Sequence, residues 1–378
     1  MFYNADAPAL DDFKAEVGQV LDPADVPLVA EVEQSIPVYD IPSLDLGTQA
    51  DALRREWCWV LGDGPGVLVM KRAYTDTTAL DQASAIFHDI IAAEKAGAGG
   101  GADHFAAAGA NDRIWNSLQK LCMADPAVHA RIFSNVALSL VCEAWLGPYY
   151  QMTAQVNLVR PSGKAQTAHR DYHLGFQTEE VALRFPAHVH KLSPVMTLQG
   201  AIAHCDMPIE SGPTKLLPYS QNYGPGYLAY RHDAFRAFFE DSYVQLPLEK
   251  GDMLFFNPAL FHGAGDNASE DIQRLGNLVQ VSSAMGRTME SLDRAAMCKA
   301  LYPVLLDGDL GLSDAERHAV IAATTEGYSF PTSLDNDPPV GGLAPKTQAD
   351  IILDGLQKGA PAQDVEAMLD ALENRRKP

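Results

Sequence analysis

The chain has 378 residues, 47% hydrophobic and 20% charged, the balance of an ordinary globular protein with room for one large domain or two. Its formal charge of −21 argues against nucleic acid or an anionic membrane as the partner, because both are held by basic patches. The five cysteines include no Cys-x-x-Cys pair, which points to reduced thiols rather than a disulfide framework or a cysteine-bound zinc. The opening MFYNADAPAL lacks the basic start and apolar core of a secretion signal, and no apolar run approaches the ~20 residues that span a bilayer. A cytoplasmic location is therefore expected.

Residues 1–60 are acidic and interrupted by Pro23, Pro27, Pro37 and Pro42. They predict helices over 11–21 and 48–59 in an N-terminal extension that wraps a core. A Gly-Asp-Gly-Pro-Gly turn at 62–66 leads into a strand over 67–71. Over 75–94, Ala79, Leu80, Ala83, Ile86, Phe87, Ile90 and Ile91 share one helical face, with Thr75 or Asp76 as cap. Five glycines in 96–110 read as a surface loop or as a lid over a site. Residues 111–146 are expected to be helical. From Tyr149 the period becomes two: Met152, Ala154, Val156 and Leu158 alternate with Gln151, Thr153, Gln155 and Asn157. Strands are predicted over 151–160, 195–203, 215–217, 243–247, 253–257 and 278–282. Many short strands between Gly/Pro turns predict a mainly β core, a jelly roll or barrel, with flanking α-helices at both ends. Helices return over 289–306 and 313–325. A Pro/Gly/Asp loop at 331–345 precedes short amphipathic helices over 347–356 and 363–373, which either dock on the core or form a homo-oligomer face. The domain reading is an extension at 1–60, a core at 61–285 with a helical insertion at 75–146, and a helical extension at 286–378.

Two His-x-Asp triplets occur, His169-Arg170-Asp171 and His204-Cys205-Asp206. On an extended chain, residues two apart face the same way, so each could aim an imidazole and a carboxylate into one space. Only the first is followed by a matching second half. At 251–274 a Gly-Asp turn opens an apolar run, then come His262 and, twelve residues later, Arg274. Two histidines and one carboxylate leave open positions on a non-haem iron, and an arginine can grip a dicarboxylate with two parallel hydrogen bonds.

With these landmarks the chain resembles the phytanoyl-CoA dioxygenase family of Fe(II)/2-oxoglutarate-dependent oxygenases, over about 64–283. The resemblance includes the turn Ser211-Gly212-Pro213-Thr214 before Pro218-Tyr219-Ser220-Gln221, although the family's Asn-Gly and Gly-Ser-His are replaced there. It implies a double-stranded β-helix and the ligands His169, Asp171 and His262 for Fe(II). Arg274 would hold the distal carboxylate of 2-oxoglutarate. Thr214 matches a position that helps hold it, Gln166 one that touches the cosubstrate near iron, and Asn157 is a further candidate of that kind. The implied reaction consumes 2-oxoglutarate and O2, yields succinate and CO2, and takes ascorbate as reductant in vitro. A halogenase would lack the carboxylate, so Asp171 keeps the site among the oxygenases. His173, two beyond Asp171, and Arg184, in the basic stretch 172–192, are candidates to touch substrate. That substrate is expected to be a small or medium-sized organic molecule bearing one carboxylate, rather than a coenzyme A thioester. The competing readings are a non-catalytic jelly-roll binding protein and a cupin-type metal enzyme.

Overall fold

A computed structural model describes residues 1–97, 111–330 and 332–377. Most of the glycine-rich stretch read as a loop or lid, from 98 onward, lies outside the described residues. The strands, in chain order, are β1 (Glu31–Glu33), β2 (Ile36–Asp40), β3 (Val67–Lys71), β4 (Asn111–Ile114), β5 (Gln151–Val159), β6 (Thr197–Ala203), β7 (Lys215–Leu217), β8 (Met253–Phe256), β9 (Phe261–Gly263) and β10 (Arg274–Ser282). Eight form one sheet in the order β1-β2-β3-β8-β6-β10-β5-β4, and β7 and β9 form a second, two-stranded sheet. Within the large sheet only β2 and β3 are parallel.

The period-two pattern separates the faces of this sheet. Met152, Ala154, Val156 and Leu158 of β5, Leu198 and Ile202 of β6, Met253 and Phe255 of β8, and Leu275, Val279 and Val281 of β10 join the main core. Against them pack the helices Ala50–Leu61, Thr78–Ala96 and Val136–Leu146, and the C-terminal helices Arg294–Asp307, Asp314–Thr324, Gln348–Lys358 and Ala362–Arg376. The other face carries Gln155, Asn157, Gln199, Leu254, Phe256, Arg274 and Gln280 into a cavity. Amphipathic strands thus bury an oily face under helices and leave a mixed face for a site.

The expected jelly roll is not what forms. The fold is mainly helical, 44% helix against 16% strand, and the sheet is open rather than closed into a β barrel. The cause lies in the segments that a second sheet would need. Residues 160–196 run through Pro161 and Gly163 into extended backbone and short helices, including Glu179–Ala182 and Ala187–Val195. The segment predicted as a strand at 243–247 makes only a Leu216–Val244 bridge, and Pro247 has no N–H to extend a ladder. What remains opposite the large sheet is the β7–β9 pair.

The 111–146 stretch also departs from expectation. Its first four residues are β4, paired along the free edge of β5, with Asp112 held by Lys95 and Arg160. Three helices follow because Asp125 Oδ1 caps Pro126–Phe133 at the N–H groups of Ala127 and Val128, 3.0 Å each, and Asn135 caps Val136–Leu146. Among the described residues no helix is long and apolar enough to cross a membrane.

Candidate metal centre

Two extended segments build the centre. His169 N–H donates to His262 O (3.0 Å) and His262 N–H to His169 O (3.2 Å), while Asp171 N–H donates to Pro258 O (2.8 Å). This isolated antiparallel bridge sets the two imidazoles side by side, ring centroids 4.4 Å apart. The segment at 169–171 is therefore extended without being part of a ladder, yet its side chains still alternate. His169 and Asp171 face the cavity, and Arg170 points away into a buried slot between Tyr227 and Phe261, 5.3 Å from each ring. There its guanidinium donates to the carbonyls of Ser220 and Tyr223.

Each imidazole is turned by its own backbone. His169 Nδ1 lies 2.8 Å from Thr167 O, and His262 Nδ1 lies 2.8 Å from Leu260 O. A carbonyl only accepts, so both Nδ1 atoms carry the proton and both Nε2 lone pairs are left to bind a cation. Those Nε2 atoms lie 3.7 Å and 3.4 Å from the Asp171 carboxylate, and the three donor atoms all fall within 4.8 Å of one another. Gln199 donates its amide N–H to Asp171 Oδ2, and Phe256 packs against His262 at 4.7 Å. Burial, and then the neighbouring His262, hold His169 below the usual histidine range, which keeps it in the neutral, ligating form. Burial alone would raise the Asp171 carboxyl, but the His169, His262 and Gln199 contacts outweigh it and hold it below the usual range. Two neutral nitrogens and one carboxylate on one side of an open cavity fit Fe(II) with positions to spare.

The cavity, about 530 Å³, is lined by the three ligands and by Arg274, Thr214, Gln166 and Asn157, so one space holds all seven. Arg274 is 7% exposed. Its Nη1 donates to Ser211 O (2.6 Å) and Gly265 O (3.5 Å), and among the described residues no carboxylate pairs with it. Burial pushes it down to about 10. The carbonyl of Ser211 is presented by the turn at Gly212, whose φ of +71° and 2.1 Å clearance to Asp266 O leave no room for a Cβ. Gln166 Oε1 accepts from Ala264 N–H at 3.3 Å, and Asn157 Oδ1 is buried with no partner among the described residues.

The structure does not bring His173 or Arg184 to the cavity lining. Tyr172 (φ 61°) and His173 (φ 41°) bend the chain into a short helix, His173–Phe176, so two residues on is no longer the same face. His173 is exposed with Nδ1 3.2 Å from Ser193 Oγ, and Arg184 is exposed beyond the helix Glu179–Ala182. The second triplet is elsewhere: His204 is buried against the helix layer, 2.9 Å from Ser84 Oγ and held down to about 4 by burial, while Asp206 accepts from Lys250 N–H. Gln199 and Gln280 were not foreseen. The signal for Gln199 was a single amide inside the apolar run Thr197–Ala203.

The site is thus a two-histidine, one-carboxylate facial triad of the kind that serves non-haem Fe(II)/2-oxoglutarate enzymes. The family model described as phytanoyl-CoA dioxygenase matches residues 63–275, more than half of the chain, and the protein belongs to that family, within the Fe(II)/2-oxoglutarate-dependent oxygenase superfamily. No curated protein matches the sequence. Solved structures similar to it include the non-heme alpha ketoglutarate dependent epimerase SnoN from nogalamycin biosynthesis (17% identity, 65% of this chain and 85% of that chain, TM-score 0.42). The carbocyclase SnoK from the same biosynthesis matches at 17% identity over 62% of this chain and 86% of that one, TM-score 0.45. AviO1 from Streptomyces viridochromogenes Tue57 matches at 17% over 65% and 97%, TM-score 0.43.

Proposed function

We propose that the protein is an Fe(II)/2-oxoglutarate-dependent dioxygenase that hydroxylates a small or medium-sized organic substrate at an unactivated carbon, releasing succinate and CO2. The observation that carries this is Arg274, a buried cation with no acidic partner among the described residues, facing the same cavity as the triad. A buried charge without a counter-charge is costly, and a dicarboxylate would supply one. Iron and 2-oxoglutarate, once bound, supply the oxidising power that no amino-acid side chain has.

The chain's own part is orientation. His169 and His262 offer Nε2 because Thr167 O and Leu260 O hold their Nδ1–H groups. Asp171 supplies the charged donor and is kept in place by Gln199. Arg274, with Thr214 lining the same cavity, would receive the distal carboxylate, and Gln166 and Asn157 would line the path from there to the metal. Leu254, Phe256 and Met207 keep that part of the wall apolar and exclude water. Succinate release over a metabolite library, with iron, ascorbate and 2-oxoglutarate, tests the reading. It predicts iron-dependent succinate with at least one substrate; absence of both succinate and 2-oxoglutarate binding would overturn it in favour of a binding protein.

A further inference from the structure

The half of the cavity remote from Arg274 carries a hydrogen-bond relay with a fixed direction. Arg113 Nη1 donates to Gln155 Oε1 at 3.0 Å, and Gln155 Nε2 donates to Gln280 Oε1 at 3.1 Å. An amide's oxygen and nitrogen can exchange places, but a guanidinium can only donate. Arg113 therefore fixes the Gln155 oxygen toward itself, the Gln155 nitrogen toward Gln280, and the Gln280 oxygen toward Gln155. The Gln280 nitrogen is left over. It has no protein acceptor among the described residues and is not among the buried orphan atoms, although Gln280 lines the cavity. Gln280 sits directly opposite Gln199, which holds Asp171, so this free N–H opens beside the metal ligands. Arg274 lies six residues earlier on the same strand, about 20 Å away at ~3.3 Å per residue. One strand thus carries both poles of the cavity.

We propose that Gln280 is a specificity-determining residue. It presents an N–H donor, polarised through Gln155 by Arg113, to an acceptor oxygen on the primary substrate. The substrate class is accordingly an oxygenated molecule, with a carbonyl, ether or hydroxyl oxygen near the carbon to be oxidised, rather than a bare acyl chain. This rests on the proposed oxygenase reading, with 2-oxoglutarate at the Arg274 pole.

The test uses protein loaded with Fe(II) and 2-oxoglutarate under argon and two probes of matched size, cyclohexanone (acceptor only) and cyclohexylammonium (donor only), by calorimetry. Wild type should prefer cyclohexanone. Gln280→Glu, which turns the donor into an acceptor, should lower the ketone-to-ammonium affinity ratio at least tenfold. Gln280→Leu should weaken cyclohexanone at least fivefold. The 2-oxoglutarate affinity should be unchanged in both variants. A ratio unmoved by either substitution, or a wild type that binds neither probe, overturns the assignment. Failure of 2-oxoglutarate to bind wild type would instead sink the oxygenase reading itself.

Discussion

Replacing Arg274 with methionine removes a buried cation and keeps most of its bulk. Among the described residues Arg274 bonds only the carbonyls of Ser211 and Gly265, so the fold should lose about 1–3 kcal/mol for the abandoned acceptors. Relief of the buried charge, whose burial already pushes it down to about 10, offsets part of that. The loss to 2-oxoglutarate is larger. Truncating one partner of a buried charge pair costs ~2–5 kcal/mol, and each ~1.4 kcal/mol is tenfold, so affinity should fall roughly 30- to 3000-fold. Arg274→Lys keeps the charge without the two-pronged geometry and should fall between wild type and Arg274→Met. Equilibrium dialysis of labelled 2-oxoglutarate against the Fe(II) protein under argon measures this. Iron binding should be unchanged. Unaltered 2-oxoglutarate affinity in Arg274→Met would refute the reasoning and move the cosubstrate to another cation of the cavity, Arg113.

Gly212→Ala should destabilise the protein by more than ~2 kcal/mol, since its φ is +71° and a Cβ would sit 2.1 Å from Asp266 O; an unchanged urea midpoint would contradict this. The same variant should weaken 2-oxoglutarate binding, because the turn carries both the Ser211 carbonyl and Thr214. Glu290 is 8% exposed and burial raises its carboxyl to about 6 from 4.5. A raised folded value means stability that is present below ~4.5 and is lost as pH rises through ~6, by about 2 kcal/mol. Glu290→Gln should escape this loss, so its advantage over wild type should grow between about pH 4.5 and about pH 8; urea unfolding at both values that shows a constant difference would refute the assignment.

The candidate site was more legible in the sequence than the fold. His169, Asp171, His262 and Arg274 could be picked out from their residue types and order along the chain, and the structure gathers them into one cavity. The architecture was misread because short strands and Gly/Pro turns look alike whether or not a second sheet closes. Among the described residues only Lys215–Leu217 and Phe261–Gly263 form a strand pair outside the large sheet, and nothing local in 243–247 says that its ladder fails. His173 is not brought to the cavity lining for a conformational reason: positive φ at Tyr172 and His173 ends the extended run that placed it beside Asp171. Gln280, by contrast, was hidden in plain alternation, since one amide on an inward face carries no chemical signature until its neighbours orient it.

Anaerobic iron titration bears most directly on the account. Wild type should bind one Fe(II) per chain, and His169→Ala and His262→Ala should each abolish binding, because each removes one of the three donors grouped there among the described residues. Full iron occupancy in both variants would contradict the facial triad and, with it, the oxygenase reading.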